Sequence, residues 1–360
     1  MADYDLEAEN TSATIGGVTF LNSPNAGSGT GNFEPFLATS DEASTSDGVS
    51  AGFNTVSDSN SDINNSFGNN ELDKQKTHEV RLVDMPVTVI DGVEYYEIRL
   101  DLNESNSDEL ITLEEFQIYL SSDGAISTYS DLINPSNATM IYDLDATEDN
   151  TLYLAETSTG SGTDDYTVLI EVSLVQAYFD ANPGESIEDY YFYLYTELGR
   201  PGDYDEEAGF DEWNLQTAGT INGFKFEDAN GNGIYDEGTE SGLGGITVYI
   251  DSNNNGILDL GQERYTVTDE NGNFSFYGVA TSDDDIIIRE ALTQEQIDQG
   301  IEATNGFTDQ YGAYWVAQIT ETGEVDEVLI GNFVPNPLMS IDKIVVGVDS
   351  TGNGMADAVG

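Results

Sequence analysis

The chain contains no cysteine, one histidine, and only 9 lysines and arginines against 69 aspartates and glutamates. Without cysteine there are no disulfides and no thiolate metal sites, so any staple must be of another kind. A single histidine cannot build the usual zinc ligand sets. A Ser–His–Asp apparatus would have to recruit His78, which sits in a polar stretch after Lys74 and Lys76, and no G-x-S-x-G elbow accompanies it. His78 is therefore read as a solvent-exposed strand-edge residue. A glycosidase would need two carboxylates, but nothing local singles out a pair among so many, and the expectation is a non-enzyme. The scarcity of basic side chains excludes nucleic acid as a partner and electrostatic adhesion to anionic lipid. No run of about 18 apolar residues occurs, so no membrane span is expected. The opening MADYDLEAEN has neither a basic nor an apolar region and is no N-terminal secretory signal.

What the chain does have is negative charge, a formal −60, which opposes compaction unless cations or salt relieve it. Two segments suggest where cations go. Residues 228–240 read DANGNGIYDEGTE and residues 251–263 read DSNNNGILDLGQE. Both fit D-x-N-x-N-G-I-x-D-x-G-x-E and begin 23 residues apart. Oxygen-bearing side chains at positions 1, 3, 5 and 9, a glycine at 6 for a sharp turn, and a backbone carbonyl at 7 are what a loop wrapped around Ca²⁺ requires. Two copies in one frame make chance a poor explanation.

Around these loops the pattern is one of short strands. Residues 1–12 read as a disordered acidic start. From 13 to 216, alternating apolar and polar residues rich in β-branched and aromatic types predict strands at 13–20, 33–38, 80–83, 87–90, 93–102, 113–120, 140–142, 151–154, 166–174 and 190–196. Asp91-Gly92 between two of these is a strong hairpin signal. Residues 39–70, poor in apolar side chains, predict a long loop or disordered insert. Helix is predicted only at 174–180 and at 293–299, where Thr293 and Gln296 are spaced as a capping box. The fold class expected is all-β: a jelly-roll-like sandwich over 13–216, then a smaller sandwich over 219–334. The second unit's strands are predicted at 220–227, 246–250, 265–268, 274–277, 285–290, 313–320 and 328–333. Pro335 and Pro337 open a stiff linker into residues 341–360, whose acidic turn with Asp349, Asn353 and Asp357 the chain does not complete, as in a piece of something longer.

Residues 219–334 resemble the B-type repeat of the serine–aspartate repeat family of bacterial surface proteins. The stretches that carry the likeness are GTINGFKFEDANGNGIYDEG, SGLGGITVYIDSNNNGILDLGQE, TVTDENGNFSFYGV, IIIRE and LIGNF. The resemblance implies an Ig-like or prealbumin-like calcium-binding sandwich used as a rigid extracellular spacer. By position it implies one site from Asp228, Asn230, Asn232, the Ile234 carbonyl, Asp236 and Glu240. A second would come from Asp251, Asn253, Asn255, the Ile257 carbonyl, Asp259 and Glu263. The closing glutamates stand at position 13, where the commoner loop closes at 12 (here Thr239 and Gln262), which puts bidentate coordination by them in question. Asp269, Asn271 and Asn273 lie in a further turn of the repeat, either ligands of a third ion or a plain β-turn. The tail from Ile341 is similar to the start of another recurrent surface-protein domain, and residues 13–216 to a secreted bacterial β-domain of no assigned activity.

The function expected is a calcium-rigidified segment of a large extracellular surface protein or adhesin stalk, with calcium as the bound ion. The alternatives are a module that binds an extracellular glycan or a host or matrix protein, presented by the repeat, or a fragment of an acidic halophilic secreted enzyme. Three finer expectations accompany it. Tyr190, Tyr191, Tyr193 and Tyr195 offer either a sugar-stacking face or ordinary strand packing, the latter favoured by alternation. Asp203, Asp205, Glu206, Glu207, Asp211 and Glu212 form an acidic cluster that either meets Asp101 and Asn103 at a cation or lies solvated in a loop. Lys225, Glu290 and Asn332 fall in the first, a central and the last strand, as a Lys–Asn isopeptide link of the kind found in some related surface domains requires. The simpler role for Lys225 is to counter local acid. The Gly-rich stretch 27–31 reads as a turn.

Overall fold

The protein is described from a computed structural model covering residues 2–23, 33–41, 48–55, 70–104, 109–157, 164–201, 204–205, 209–216, 218–260, 262–280, 285–319 and 327–334. Its regular structure is overwhelmingly β, arranged as two sandwiches in sequence.

The first sandwich is built from residues 2–216. One sheet runs Ala2–Asp5, Asn150–Ala155, Leu110–Ser121, Tyr191–Leu198, Ser50–Phe53. The facing sheet runs Ser12–Ile15, Val18–Asn22, Tyr166–Glu171, Val93–Asp101, Asp211–Gln216, Phe33–Asp41, Asn70–Leu72. Alternation sends Phe20, Phe36 and Trp213 from one sheet and Phe116, Phe192 and Leu194 from the other into a shared core. Phe116 anchors it, with Phe20 5.2 Å away edge-on and Trp213 at 5.4 Å. Asp91 and Gly92 both take positive φ and turn Val87–Ile90 into Val93–Asp101, the hairpin expected from that pair.

Several sequence expectations need correction. The acidic start is not disordered: Ala2–Asp5 pairs in parallel with Asn150–Tyr153, and Leu6 is buried. Ala2, Tyr4 and Leu6 alternate with the acids, so one face of the strand is available for packing despite the composition. Residues 13–20 are two strands rather than one, because Gly16 and Gly17 at positive φ fold them into a hairpin. Within 39–70, Ser50–Phe53 is a fully buried strand on Tyr195–Leu198. The rest of that stretch between 42 and 69, except 48–55, lies outside the described residues, as do 27–31 and 335–360. The strand foreseen at 166–174 ends at Glu171, where the helix Val172–Ala181 begins.

The tyrosine strand is packed on both faces. Phe192 and Leu194 enter the main core, while Tyr193 and Tyr195 point the other way into a second cluster with Phe53, Tyr119, Ile126 and Leu132. That cluster covers the face on which a sugar would have stacked.

The second sandwich packs Asn273–Ala280, Ala218–Glu227, Val328–Phe333 and Glu302–Ala303 against Tyr265–Val267, Thr247–Ile250, Ile286–Ala291, Gly312–Ala317 and Phe307–Asp309. Ile221, Val248, Phe274, Ile288, Trp315 and Ile330 are central to its core. The first and last strands lie side by side and parallel, with Lys225 opposite Ile330 and Glu227 opposite Asn332. The short helix Gln294–Asp298 carries the capping box expected from Thr293 and Gln296. The two sandwiches meet where Arg264, held by the Tyr277 carbonyl at 2.7 Å, reaches Glu94 at 3.3 Å, and where the Tyr277 hydroxyl donates to Glu188. Among the described residues no helix is long and apolar enough to cross a membrane.

Candidate metal centre

The first loop leaves the strand Ala218–Glu227 and crosses to the opposite sheet; the second turns Thr247–Ile250 into Tyr265–Val267. Their separate sequences fold into the same hydrogen-bond network. In the first, Asp228 accepts from the Asn232 N–H at 3.1 Å and the Gly233 N–H at 2.6 Å. Asn230 and Asn232 reach across to Asp236 Oδ2 at 2.7 and 3.0 Å. In the second, Asp251 accepts from Asn255 and Gly256 at 3.0 and 2.9 Å, and Asn253 and Asn255 meet Asp259 Oδ2 at 2.8 and 2.7 Å.

Gly233 and Gly256, at position 6, have φ of 76° and 73°, the left-handed conformation the turn demands. The position-7 side chains Ile234 and Ile257 are each 64 % exposed, as expected where a residue contributes only its carbonyl to a loop.

The closing glutamates are tied to the loop backbone. Glu240 accepts from the Ala229 N–H at 3.0 Å with one oxygen and from the Asp236 N–H at 2.9 Å with the other. Glu263 accepts from the Asp259 N–H at 3.1 Å and the Ser252 hydroxyl at 3.4 Å. Placement one residue late is therefore no obstacle to closing the loop. Asp236 and Asp259 carbonyls also accept from Glu240 and Glu263 N–H, at 3.0 and 3.1 Å, so a hydrogen bond between positions 9 and 13 closes each loop.

In each loop two carboxamides thus meet the position-9 carboxylate, while the carboxylates at positions 1 and 13 are held by loop N–H groups. Among the described residues no three His, Cys, Asp or Glu side chains cluster as a metal-holding group. The donor set here is instead mixed, half carboxamide and carbonyl, which suits a hard cation with many oxygen ligands such as Ca²⁺ and not Zn²⁺. The residues present fit the ion that the sequence pattern calls for.

The surroundings of the two loops differ. Asp228 is fully buried. Burial would push its carboxyl up, but the Thr304 hydroxyl and the N–H groups of Gly233, Asn232 and Gly231 hold it below the ordinary value. Asp251 is held instead by a cation: Arg289 Nε lies 2.6 Å from its Oδ2, and Arg289 Nη2 lies 2.6 Å from Asp309 Oδ2. Position 4 of this loop is Asn254 at φ 53°, and its carboxamide oxygen accepts from Arg289 at 3.2 Å. Both loops rest on one connection: the first touches Thr304 and Asn305, the second touches Tyr311 directly and reaches Asp309 through Arg289. No motif flagged Arg289, because its partners come together only through strand register.

The turn 269–273 satisfies itself. Asp269 Oδ1 accepts from the N–H groups of Asn271 and Asn273, both at 2.8 Å, and Asp269 Oδ2 from the Asn273 carboxamide at 3.1 Å. These are the hydrogen bonds of a β-turn. In the acidic cluster of the first unit, Asp203, Glu206 and Glu207 lie outside the described residues. Asp211 is buried and accepts from the Asn103 N–H at 3.1 Å, Asp101 sits opposite Glu212 across the strands, and Glu212 pairs with Lys76. His78 is exposed, and its N–H donates to the Phe36 carbonyl.

A separate acidic group marks the first unit. Glu115 lies directly opposite Glu197 on paired strands. Burial, then the charges of Glu197, Asp145 and Asp143, push the Glu115 carboxyl from 4.5 to about 7 against a lowering hydrogen bond from Gln117. A carboxyl whose pKa is higher in the folded state contributes stability that is complete below 4.5 and lost as pH rises through about 7. Asp228 has the opposite sign: its contribution is present above its unfolded pKa and lost on acidification. Circular-dichroism melts from about pH 5 to about pH 8 are expected to show the first unit losing stability as pH rises, and Glu115→Gln to flatten that slope. An unchanged slope in the variant contradicts the assignment.

No protein-family model matches the chain, and no curated protein does. Among solved structures, the major pilin subunit BcpA of Bacillus cereus overlaps with 14 % identity and TM-score 0.22; the overlap covers 70 % of this chain and 67 % of that one. A single-residue variant of the same pilin gives the same score over 69 % of this chain, and there the overlap spans 66 % of the pilin's length. The group B streptococcus pilus 2b backbone protein overlaps with 9 % identity and TM-score 0.23, over 70 % of this chain and 97 % of that one. These scores carry no argument about what the chain does.

Proposed function

We propose that the chain is a calcium-stiffened spacer segment of an extracellular surface protein. The observation that carries this is the repeated loop: two stretches of different sequence adopt one hydrogen-bond network, in which the carboxamides at 3 and 5 meet the carboxylate at 9 and the glutamate at 13 accepts from the position-9 N–H. Asp228, Asn230, Asn232, the Ile234 carbonyl, Asp236 and Glu240 would hold one ion, and Asp251, Asn253, Asn255, the Ile257 carbonyl, Asp259 and Glu263 the other. The ion supplies positive charge that offsets repulsion among the carboxylates of each loop and replaces weak amide–carboxylate contacts with a fixed set of distances.

Stiffness follows from where the loops sit. The first joins the two sheets of the second sandwich, and both bear on the connection 304–311. Glu263, which closes the second loop, is followed at once by Arg264, the residue that bridges to Glu94 of the first sandwich. Ordering that loop therefore orders the junction between the units. A chain so acidic and free of cysteine suits surroundings where calcium is plentiful and disulfides are not the staple. The proposal assigns no catalytic residue: His78 serves the backbone of a strand edge, and the tyrosine face that favoured a glycan site is covered.

Titration calorimetry with CaCl₂ tests the assignment. Two ions per chain are expected, with Kd in the range of about 10⁻⁴–10⁻³ M typical of extracellular modules. Asp236→Ala and Asp259→Ala should each remove one of the two. Absence of binding at millimolar calcium, or stoichiometry unchanged in both variants, overturns the proposal.

A further inference from the structure

Lys225 is fully buried, and its surroundings are those of a reaction rather than of a counter-charge. Its Nζ touches the Asn332 side-chain oxygen and lies 3.0 Å from Glu290 Oε2. The Asn332 Nδ2 group donates to the same carboxylate, at 3.0 Å to Oε2 and 3.3 Å to Oε1. Amine, carboxamide and acid therefore each touch the other two. Asn332 is fully buried, and the Glu290 side chain is only 8 % exposed.

The fold produces this meeting by register. Lys225 and Asn332 lie on adjacent parallel strands, one two-residue step apart, so both side chains leave the sheet on the same face. Glu290 arrives from the opposing sheet, opposite Val248. Ile330, directly opposite Lys225 and fully buried, packs on the same face, and Phe226 closes the other face of the sheet.

Burial lowers the Lys225 amine to about 8, against the pull of the Glu290 charge in the other direction. An appreciable fraction is thus neutral near pH 7, and neutral amine is what a nucleophile requires. A buried ammonium–carboxylate pair is also a costly resting state, since desolvating both ions competes with their attraction. A reaction that replaces the ammonium by a neutral amide removes that cost.

We propose that Lys225 and Asn332 are joined by an intramolecular isopeptide bond, formed in the folded chain with Glu290 as the proton carrier. The Lys225 ammonium first passes a proton to the Glu290 carboxylate. The Nζ lone pair then attacks Asn332 Cγ, forming the Nζ–Cγ bond. Glu290 delivers its proton to Nδ2 and receives one from Nζ, and the Cγ–Nδ2 bond breaks with departure of ammonia. Lysine amine plus asparagine carboxamide gives secondary amide plus ammonia, with no oxidant or reductant involved. A cleft of about 440 Å³ lined by Glu290, Tyr249, Ile297 and Tyr311 lies beside the site. Ile297 and Tyr311 are about half exposed, so the cleft gives ammonia a way to solvent.

The link would tie the first strand of the second sandwich to its last, across 107 residues. It stands apart from the calcium reading, since its formation uses none of the loop residues and its test needs no metal.

Intact-mass measurement of the purified full chain decides the matter. The expected mass is below that of the sequence by one ammonia, about 17 Da, and proteolysis should release one branched peptide joining the segments around 225 and 332. Lys225→Met should show the full sequence mass. So should Glu290→Gln, with Glu290→Ala as the second choice if that chain does not fold. A wild-type mass equal to that of the sequence overturns the proposal. So does an ammonia loss that maps to a cyclised asparagine, for example at Asn230-Gly231, without a branched peptide. Persistence of the branched peptide in both folded Glu290 variants overturns the role given to Glu290.

Discussion

Replacing Arg289 by methionine is expected to cost the second sandwich about 3–5 kcal/mol in the absence of calcium, the range measured when one partner of a buried ion pair is removed. Arg289 is almost wholly buried, and its guanidinium serves four acceptors at once: Asp251, Asp309, the Asn254 carboxamide and the Ala313 carbonyl. Methionine keeps much of the volume, so the loss is electrostatic rather than a cavity. Asp251 would remain in the interior with the N–H groups of Asn255 and Gly256 but no positive charge. A calcium ion in the second loop would supply that charge. The destabilisation is therefore expected to shrink when calcium is added, more than in the wild-type chain. Urea unfolding of both chains, with calcium and with chelator, measures this. A loss of under about 1 kcal/mol, as for an exposed pair, contradicts the picture of Arg289 as the internal counter-ion.

The two loops consequently differ in what they owe to a bound ion. Asp228 takes its hydrogen bonds from neutral donors, the Asn232 and Gly233 N–H groups, whereas Asp251 already has a guanidinium. On the proposed reading, calcium would have more charge to offset in the first loop.

How much of this was legible in the sequence depended on whether the signal was local. The loops were legible because every oxygen donor, the position-6 glycine and the closing acid lie within thirteen residues of one another. Asp91-Gly92 and the Thr293–Gln296 box were legible for the same reason. Ala2–Asp5 was hidden because its acids dominate the composition while its pairing partner lies about 150 residues away. Ser50–Phe53 was hidden because a four-residue strand of Ser, Ala, Gly and Phe has almost no pattern, and only its seat on Tyr195–Leu198 explains it. The strand break at Gly16-Gly17 was visible as a pair of glycines, but the apolar residues on either side favoured continuity.

The arrangement of Lys225, Glu290 and Asn332 shows the limit most clearly. The three could be assigned to strands, yet which strands are neighbours, in which direction and at what offset is a matter of topology. Only the parallel pairing of the first and last strands, with Lys225 opposite Ile330, brings the amine onto the carboxamide. The same holds for Tyr193 and Tyr195, whose face is covered by segments around Phe53 and Ile126 that no periodicity connects to them.

Calcium itself is expected to have the broadest effect. At tenfold Kd each site adds about 1.4 kcal/mol, so two sites together add nearly 3 kcal/mol to the second sandwich. For a unit of roughly 110 residues that corresponds to a rise in Tm on the order of 10 °C. The first sandwich, whose core is separate and holds neither loop, should melt at nearly the same temperature with or without the ion, apart from what it gains across the Arg264 junction. General screening of the formal −60 charge predicts something else: both units would respond to any salt, and in proportion to ionic strength.

Scanning calorimetry of the whole chain separates the two most directly, run in millimolar CaCl₂, in chelator, and in NaCl of matched ionic strength. The account predicts that calcium alone moves the transition of the second sandwich upward while the first stays nearly in place. Identical traces in calcium and chelator, or equal shifts from calcium and matched NaCl, would contradict it.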